Sequence, residues 1–331
     1  MAAAITYENG ITTMPGWVPG SFTEQPRGYA YEYDGRFVHM FGVTGQLWTI
    51  SSGLTFFQQA SGDLEEWVKT NFAATSISKL AVPAATVVEG VWRPGLVWEE
   101  QVFQALNVNQ VSRRSAEQAL HGLVERLTDL LLYLEPEGAG LTAYGQRTRE
   151  LLILACTEVE NLWIQFLSIA GLQEPQRGFN TTHYVKLCAP LRLEEFQVSL
   201  APYAGAPTVR PFRGWTATAP TQTLGWYDAY NKTKHNRAAH LPQATVERCL
   251  EAVAASLILF CVRYSPFSLY NPGTPLATLA SHLFNVELVD ADPTSFYVPL
   301  VKLPAGYGEN AMGYQETKAW AEPWKVKSLK V

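Results

Sequence analysis

Hydrophobic residues recur at spacings of three and four over long segments in the middle of the chain, which predicts long helices. One predicted helix covers residues 112–136, and a second covers roughly 144–170. The second is apolar over so wide an arc that we expect it to be buried on more than one side. A strongly apolar helix, ATVERCLEAVAASLILFCVRY, follows Pro242, and LVWEEQVFQALNV begins another near residue 96. The pattern therefore predicts a central bundle of about four helices.

The two ends of the chain show a different pattern. The N-terminal part is rich in Gly, Ser, Thr and aromatic residues, and Asp34-Gly35 between two aromatic runs predicts a β-hairpin. HLFNVELVDA predicts a strand near the C-terminus, and alternation with turn residues predicts a two-stranded insertion near 192–215. The sequence thus predicts a mainly α fold in three segments: a β-rich segment 1–95, a helical bundle 96–265, and a β or irregular extension 266–331.

Composition and charge restrict the possible partners. The chain has 331 residues, 47% of them hydrophobic and 17% charged, which is typical of a folded protein with a large core. Its formal net charge of -5 argues against a general affinity for polyanions. RNA binding therefore requires a local patch, and the dense cationic patch in this sequence contains Lys232, Lys234, His235 and Arg237.

The cysteines and the apolar runs predict a cytoplasmic protein. The cysteines lie mostly in apolar runs without a CxxC pair, which predicts buried, reduced thiols; a disulfide or metal role is the alternative. They are Cys156, Cys188, Cys249 and Cys261. The N-terminus lacks the basic and apolar regions of a signal peptide, and we expect no membrane span because the apolar runs are short or interrupted.

Common catalytic motifs are missing from the sequence. It contains no glycine-rich phosphate loop, no HExxH, no cysteine and histidine cluster at zinc spacing, and no GxSxG. We therefore predict neither a cofactor nor a metal site.

The stretch WYDAYNKTKHNRAAH, residues 226–240, is the best candidate for a functional site. On a helix that begins near Leu224, Tyr230, Asn231 and Lys234 share one face with Tyr227. His235 and Arg237 flank this face, and Lys232 lies behind it. Asn231 and His235 are four residues apart and can therefore meet the same ligand.

These residue types match the needs of RNA cleavage without a metal. A histidine serves as general acid or base, Lys or Arg stabilises the charged phosphorane, and Asn positions the phosphate or the 2′-hydroxyl. The three aromatic residues would stack on bases. The sequence leaves two alternatives open: a solvated helical face, or a surface that binds a ligand or partner without catalysis.

Glu158 is the second candidate, because it lies in the apolar run LILACTEVENLW. A carboxylate there must be paired, hydrogen-bonded or protonated. A structural ion pair at the edge of the buried face is one interpretation. The other is that Glu158 positions a basic group on the facing helix.

The order of these parts resembles HEPN-like bacterial proteins. ACTEVENLW, HYVKL, VRPFRGW, LGWYDAYNKTKHNR and ATVERCLEAVAASLILF carry the resemblance, which covers residues 97–265. It implies a helical bundle, commonly a homodimer, that acts as a metal-independent ribonuclease in toxin–antitoxin or antiphage systems. Catalytic roles then fall on His235, Asn231, Glu158 and Lys234, with Lys234 in the place of the family's arginine.

Substrate contacts are predicted for the neighbouring side chains, Arg237, Lys232, Tyr230, Tyr227 and Trp226. RNA and a second copy of the chain are then the expected partners, together with a partner protein of a defence or antitoxin system. The alternative function is a non-catalytic helical interaction module that binds a partner protein or a nucleotide.

Overall fold

The computed structural model describes residues 3–12, 25–42, 47, 50–96, 99–271, 273–303, 306, 309–312 and 323–331. The chain forms two compact units, and each unit is built from two separate stretches of the sequence. Unit 1 contains Met1–Asn107 and Asp290–Lys327, and unit 2 contains Val108–Val289 and Ser328–Val331.

The prediction of a mainly α fold with a HEPN-like helical bundle is wrong. The structure is mixed α/β, with 45% of the residues in helices and 17% in strands. Five strands of the N-terminal part and one later strand form a six-stranded antiparallel sheet. The physical reason is the aromatic- and threonine-rich N-terminal segment, whose residues pair as strands and build a substantial sheet with its own core.

Unit 1 is built on this sheet. Its strands lie in the order β5-β1-β2-β3-β4-β9, and a separate parallel pair joins β6 to β10. The elements of unit 1 are β1 (Ala4–Glu8), β2 (Arg27–Tyr33), β3 (Arg36–Gly42), β4 (Ile50–Gln59), α1 (Leu64–Phe72), β5 (Thr75–Lys79), β6 (Thr86–Val88), α2 (Glu99–Ala105), β9 (Glu309–Met312) and β10 (Lys325–Lys327).

The predicted hairpin at Asp34-Gly35 is confirmed. These two residues connect β2 to β3 with φ values of 53° and 67°, and Tyr33 pairs with Arg36. Two positive φ angles in a two-residue loop match the right-handed twist of the flanking strands, and Asp followed by Gly tolerates them best.

A buried tyrosine–histidine pair lies in the core of unit 1. The Tyr7 hydroxyl and His39 Nδ1 are 2.5 Å apart. The imidazole stacks on Phe72 of α1 at a centroid distance of 3.7 Å and meets the edge of Phe41 at 4.3 Å. Both polar side chains are fully buried; burial lowers the pKa of His39 and raises the pKa of Tyr7. We infer that the Tyr7 hydroxyl donates a hydrogen bond to Nδ1 of a neutral His39.

Unit 2 is mainly helical. Its longest helices, α3, α4 and α8, pack against one another, and α6 packs on α4 and α8. The elements of unit 2 are α3 (Gln110–Leu131), α4 (Gln146–Ile169), α5 (Thr181–Tyr184), β7 (Phe196–Leu200), α6 (Gly225–His235), α7 (Arg237–His240), α8 (Val246–Tyr264), α9 (Phe267–Tyr270), α10 (Pro275–Leu283) and β8 (Phe284–Leu288).

The predicted long helices of unit 2 are confirmed, and capping residues set their starts. Asn109 accepts a hydrogen bond from the Ser112 backbone at the start of α3, and Thr245 accepts one from the Arg248 backbone at the start of α8. The helix predicted near residue 96 is the short α2, which belongs to unit 1.

The predicted two-stranded insertion near 192–215 contains a single strand. This strand, β7, pairs with β8, the strand predicted in HLFNVELVDA, and the insertion itself adds one bridge between Val198 and Val209. The β7–β8 ladder joins residues about ninety positions apart, a pairing that local alternation cannot indicate.

α4 is long and apolar enough by length and composition to cross a membrane. It packs against α3, α5, α6 and α8, and the side chains of Val159, Trp163 and Phe166 are fully buried. The core helix of a protein passes the same length and composition test, so this helix is weak evidence for a membrane span. The prediction that the four cysteines are buried is also confirmed.

Candidate functional site

Helix α6 carries most of the candidate stretch and turns its aromatic side toward the core. Trp226, Ala229, Tyr230 and Thr233, spaced by three and four residues, are buried along this side. The helix begins at Gly225 without a side-chain cap, where a Cβ atom would lie 2.7 Å from Nη1 of Arg248. The guanidinium of Arg248 in α8 thus packs against the Cα of Gly225.

An aromatic cluster fixes α6 on α4. Its centre is Trp163 of α4, which is fully buried and lies 4.8 to 6.5 Å, centroid to centroid, from five other rings. These rings belong to Tyr184, Phe212, Trp215, Trp226 and Tyr227.

The burial of this cluster corrects part of the predicted site. Trp226, Tyr227 and Tyr230 are 1%, 4% and 1% exposed. The Trp226 indole donates a 2.9 Å hydrogen bond to the carbonyl of Pro211. Stacking on bases needs an accessible ring face, so these three buried rings do not offer the stacking surface that the sequence predicted.

Glu160 of α4 connects the cluster to the surface. The Tyr227 hydroxyl donates to Glu160 Oε1 at 2.5 Å, and the Tyr230 hydroxyl lies 3.4 Å from Oε2. Lys234 then donates from Nζ to the Tyr230 oxygen at 2.8 Å. Burial raises the pKa of both tyrosines, and the bond to Tyr230 raises the pKa of Lys234. The chain of contacts holds a charged ammonium at the end of α6.

Replacing Glu160 with Ala should lower the free energy of unfolding by about 1–3 kcal/mol, because the buried Tyr227 hydroxyl would lose its acceptor. Urea unfolding followed by circular dichroism measures this loss. Glu158→Ala, two residues away on the same helix, is the matched control and should cost less than about 0.5 kcal/mol. Equal losses in the two variants would contradict the anchoring role of Glu160.

Glu158 itself lies on another side of α4. Residues two positions apart on a helix point about 200° apart, so Glu158 and Glu160 cannot share a face. Glu158 lines a cavity of about 510 Å³ beside α3 and α8, where Asn161 Nδ2 lies 3.5 Å from its carboxylate. The predicted position of Glu158 opposite the candidate stretch is wrong. Glu160, three residues before the buried Trp163, holds that position, and this spacing was the signal in the sequence.

Four basic residues lie at or next to the end of α6. Lys234, His235 and Arg237 are exposed, and Arg149 of α4 donates from Nε to the Thr233 carbonyl at 3.3 Å. The C-terminal end of a helix favours cations, since its unpaired carbonyls carry partial negative charge. We call Arg149, Lys234, His235 and Arg237 the basic end of α6.

The other two predicted site residues contribute less to this surface. Lys232 pairs with Asp228 on the same helix at 2.6 Å, so its charge is partly neutralised. Asn231 is half-buried, one turn before His235.

The basic end of α6 is suited to contact an anion rather than to hold a metal. Among the described residues, no three His, Cys, Asp or Glu side chains are placed to hold a metal ion. No family model, curated protein or solved structure matches the chain. The proposals for its function therefore depend on the charges and geometry of this surface.

Proposed function

We propose that the protein binds RNA, with the basic end of α6 in contact with the phosphate backbone. The observation that carries this proposal is the fixed Lys234 ammonium beside exposed His235 and Arg237. Arginine and lysine contacts to phosphates give sequence-independent affinity, which is strongest at low salt. A local patch of this kind is compatible with the net charge of -5.

RNA cleavage without a metal is the second candidate function. It is favoured by His235, whose imidazole is exposed and which lies between Lys234 and Arg237 in the sequence. Histidine is the side chain that changes charge near neutral pH, and the adjacent cations would stabilise a charged phosphorane. The resemblance to HEPN proteins proposed from LGWYDAYNKTKHNR would give the same assignment, with Lys234 in the place of the family's arginine. A homodimer would bring two such surfaces to one RNA, and the cytoplasm is the compartment that fits this function.

Binding is tested with a fluorescein-labelled single-stranded RNA by anisotropy over a range of salt concentrations. Wild-type protein should bind, and Lys234→Ala and Arg237→Ala should each weaken binding and lower the salt slope by about 0.7. Arg114→Ala is the control. It removes an exposed arginine near the N-terminus of α3, and this variant should bind RNA like wild type. Salt-independent or absent binding of the wild type would overturn the proposal.

Cleavage is tested on the same RNA in EDTA. If the second candidate is correct, wild-type protein cuts the RNA and His235→Ala loses at least a hundredfold in rate, since general acid–base catalysis contributes about 10²–10⁴. Intact RNA in the presence of salt-sensitive binding would leave binding as the function and reject cleavage.

A further inference from the structure

A groove opens where α3 ends and α4 begins. Its volume is about 610 Å³, and Leu130 and Leu134 line it together with Tyr133 and Tyr144. The two tyrosines are 75% and 53% exposed. Two accessible tyrosine rings in one groove are unusual on a protein surface, where exposed apolar groups that gather in one place commonly mark a binding site.

This groove lies close to the basic end of α6. Arg149, whose side chain contacts the Thr233 carbonyl, is one helical turn after Gly145 in the groove wall. Four residues of an α-helix advance the chain by about 6 Å. Tyr144 also forms a β-bridge with Thr245, the N-cap of α8. The tyrosines and the cations therefore belong to one end of unit 2.

The rim of the groove carries a further cation. Arg147 donates to Asp129 at 2.7 Å, and the two side chains are 70% and 55% exposed. An exposed ion pair of this kind is weak, because water screens both charges. The guanidinium thus remains able to contact a phosphate or to stack on a planar ring.

We propose that the groove binds a nucleobase of single-stranded RNA, which stacks on Tyr133 and Tyr144 while the neighbouring phosphates lie on the basic end of α6. This proposal rests on the RNA binding proposed above. It assigns base stacking to tyrosines that are exposed, in place of the buried Trp226, Tyr227 and Tyr230. Stacking on an aromatic ring is tolerant of sequence, because every base has a π-face.

The experiment compares two labelled oligonucleotides of equal length and charge, an adenine-rich RNA and an abasic ribose-phosphate strand. Wild-type protein should bind the RNA at least tenfold more tightly than the abasic strand. Tyr133→Ala and Tyr144→Ala should each weaken RNA binding about five- to a hundredfold and leave abasic binding unchanged. Lys234→Ala should weaken both, since both strands carry phosphates.

Two control variants test whether the loss of RNA binding is due to the loss of the stacking rings. Tyr133→Trp retains a stacking surface and should bind RNA within about threefold of wild type. Tyr203→Ala removes a partly exposed tyrosine in the loop after β7 and should have no effect.

The outcomes separate the two proposals. Equal affinity for RNA and abasic strand, with Lys234→Ala still weaker, would overturn the stacking groove and leave phosphate binding in place. A full loss in Tyr133→Trp would also overturn it. Failure of the wild type to bind either strand would overturn both.

Discussion

Trp163→Ala should lower the free energy of unfolding of unit 2 by about 3–5 kcal/mol, the usual cost of removing a fully buried large aromatic side chain. The indole contacts five rings from α5, α6 and the segment between β7 and α6, so the cavity would lie where these parts meet α4. We expect α6 to lose its fixed position, and RNA binding to weaken with it.

Urea unfolding followed by tryptophan fluorescence and circular dichroism measures this effect. Leu154→Ala is the matched control, because Leu154 lies on the same helix but is 41% exposed. It should cost well under half as much, since little apolar area leaves the core. Losses of similar size in the two variants would contradict the central role of Trp163.

Unit 1 should lose stability in acid because of His39. Its pKa is lowered in the folded protein, so the unfolded chain binds the proton more readily. The neutral, buried His39 therefore lowers the free energy of unfolding only in acid. Stability is full above the unfolded-state histidine pKa of about 6.5 and falls as the pH drops below that value. While His39 stays neutral in the folded state, each pH unit below about 6 should cost about 1.4 kcal/mol.

Urea unfolding at pH 7, 6 and 5 measures this slope. The double variant Tyr7→Phe with His39→Phe is the control, because it replaces both polar partners with rings of similar shape. It should fold and show a smaller loss between pH 7 and 5. An unchanged slope in the double variant would show that other groups cause the acid sensitivity.

Both the position and the burial of α4 were predicted from the sequence. Its periodic apolar positions predicted a helix over 144–170, and the structure has one at Gln146–Ile169. The same pattern predicted burial on more than one side, which the contacts with α3, α6 and α8 confirm. Helical periodicity depends on neighbours within two turns, so a single sequence contains it.

The candidate site shows what local pattern leaves undecided. The sequence predicted one continuous helix with Lys234 on the face of Tyr227 and Tyr230 and with His235 and Arg237 beside it. In the structure α6 ends at His235, and the side chains of Lys234, His235 and Arg237 are exposed there. The pattern could not decide which aromatic residues face outward, since Trp226 and Tyr227 suit a core and a stacking surface equally. Only the packing of Trp163 against them placed them inside.

By itself, the sequence determined the long helices of unit 2, the hairpin at Asp34-Gly35 and the buried cysteines, because each follows from periodicity, turn chemistry or local hydrophobicity. The tertiary structure alone decided the six-stranded sheet and the pairing of β7 with β8. These features join residues far apart in the chain, and their pairing depends on three-dimensional packing that no local pattern records.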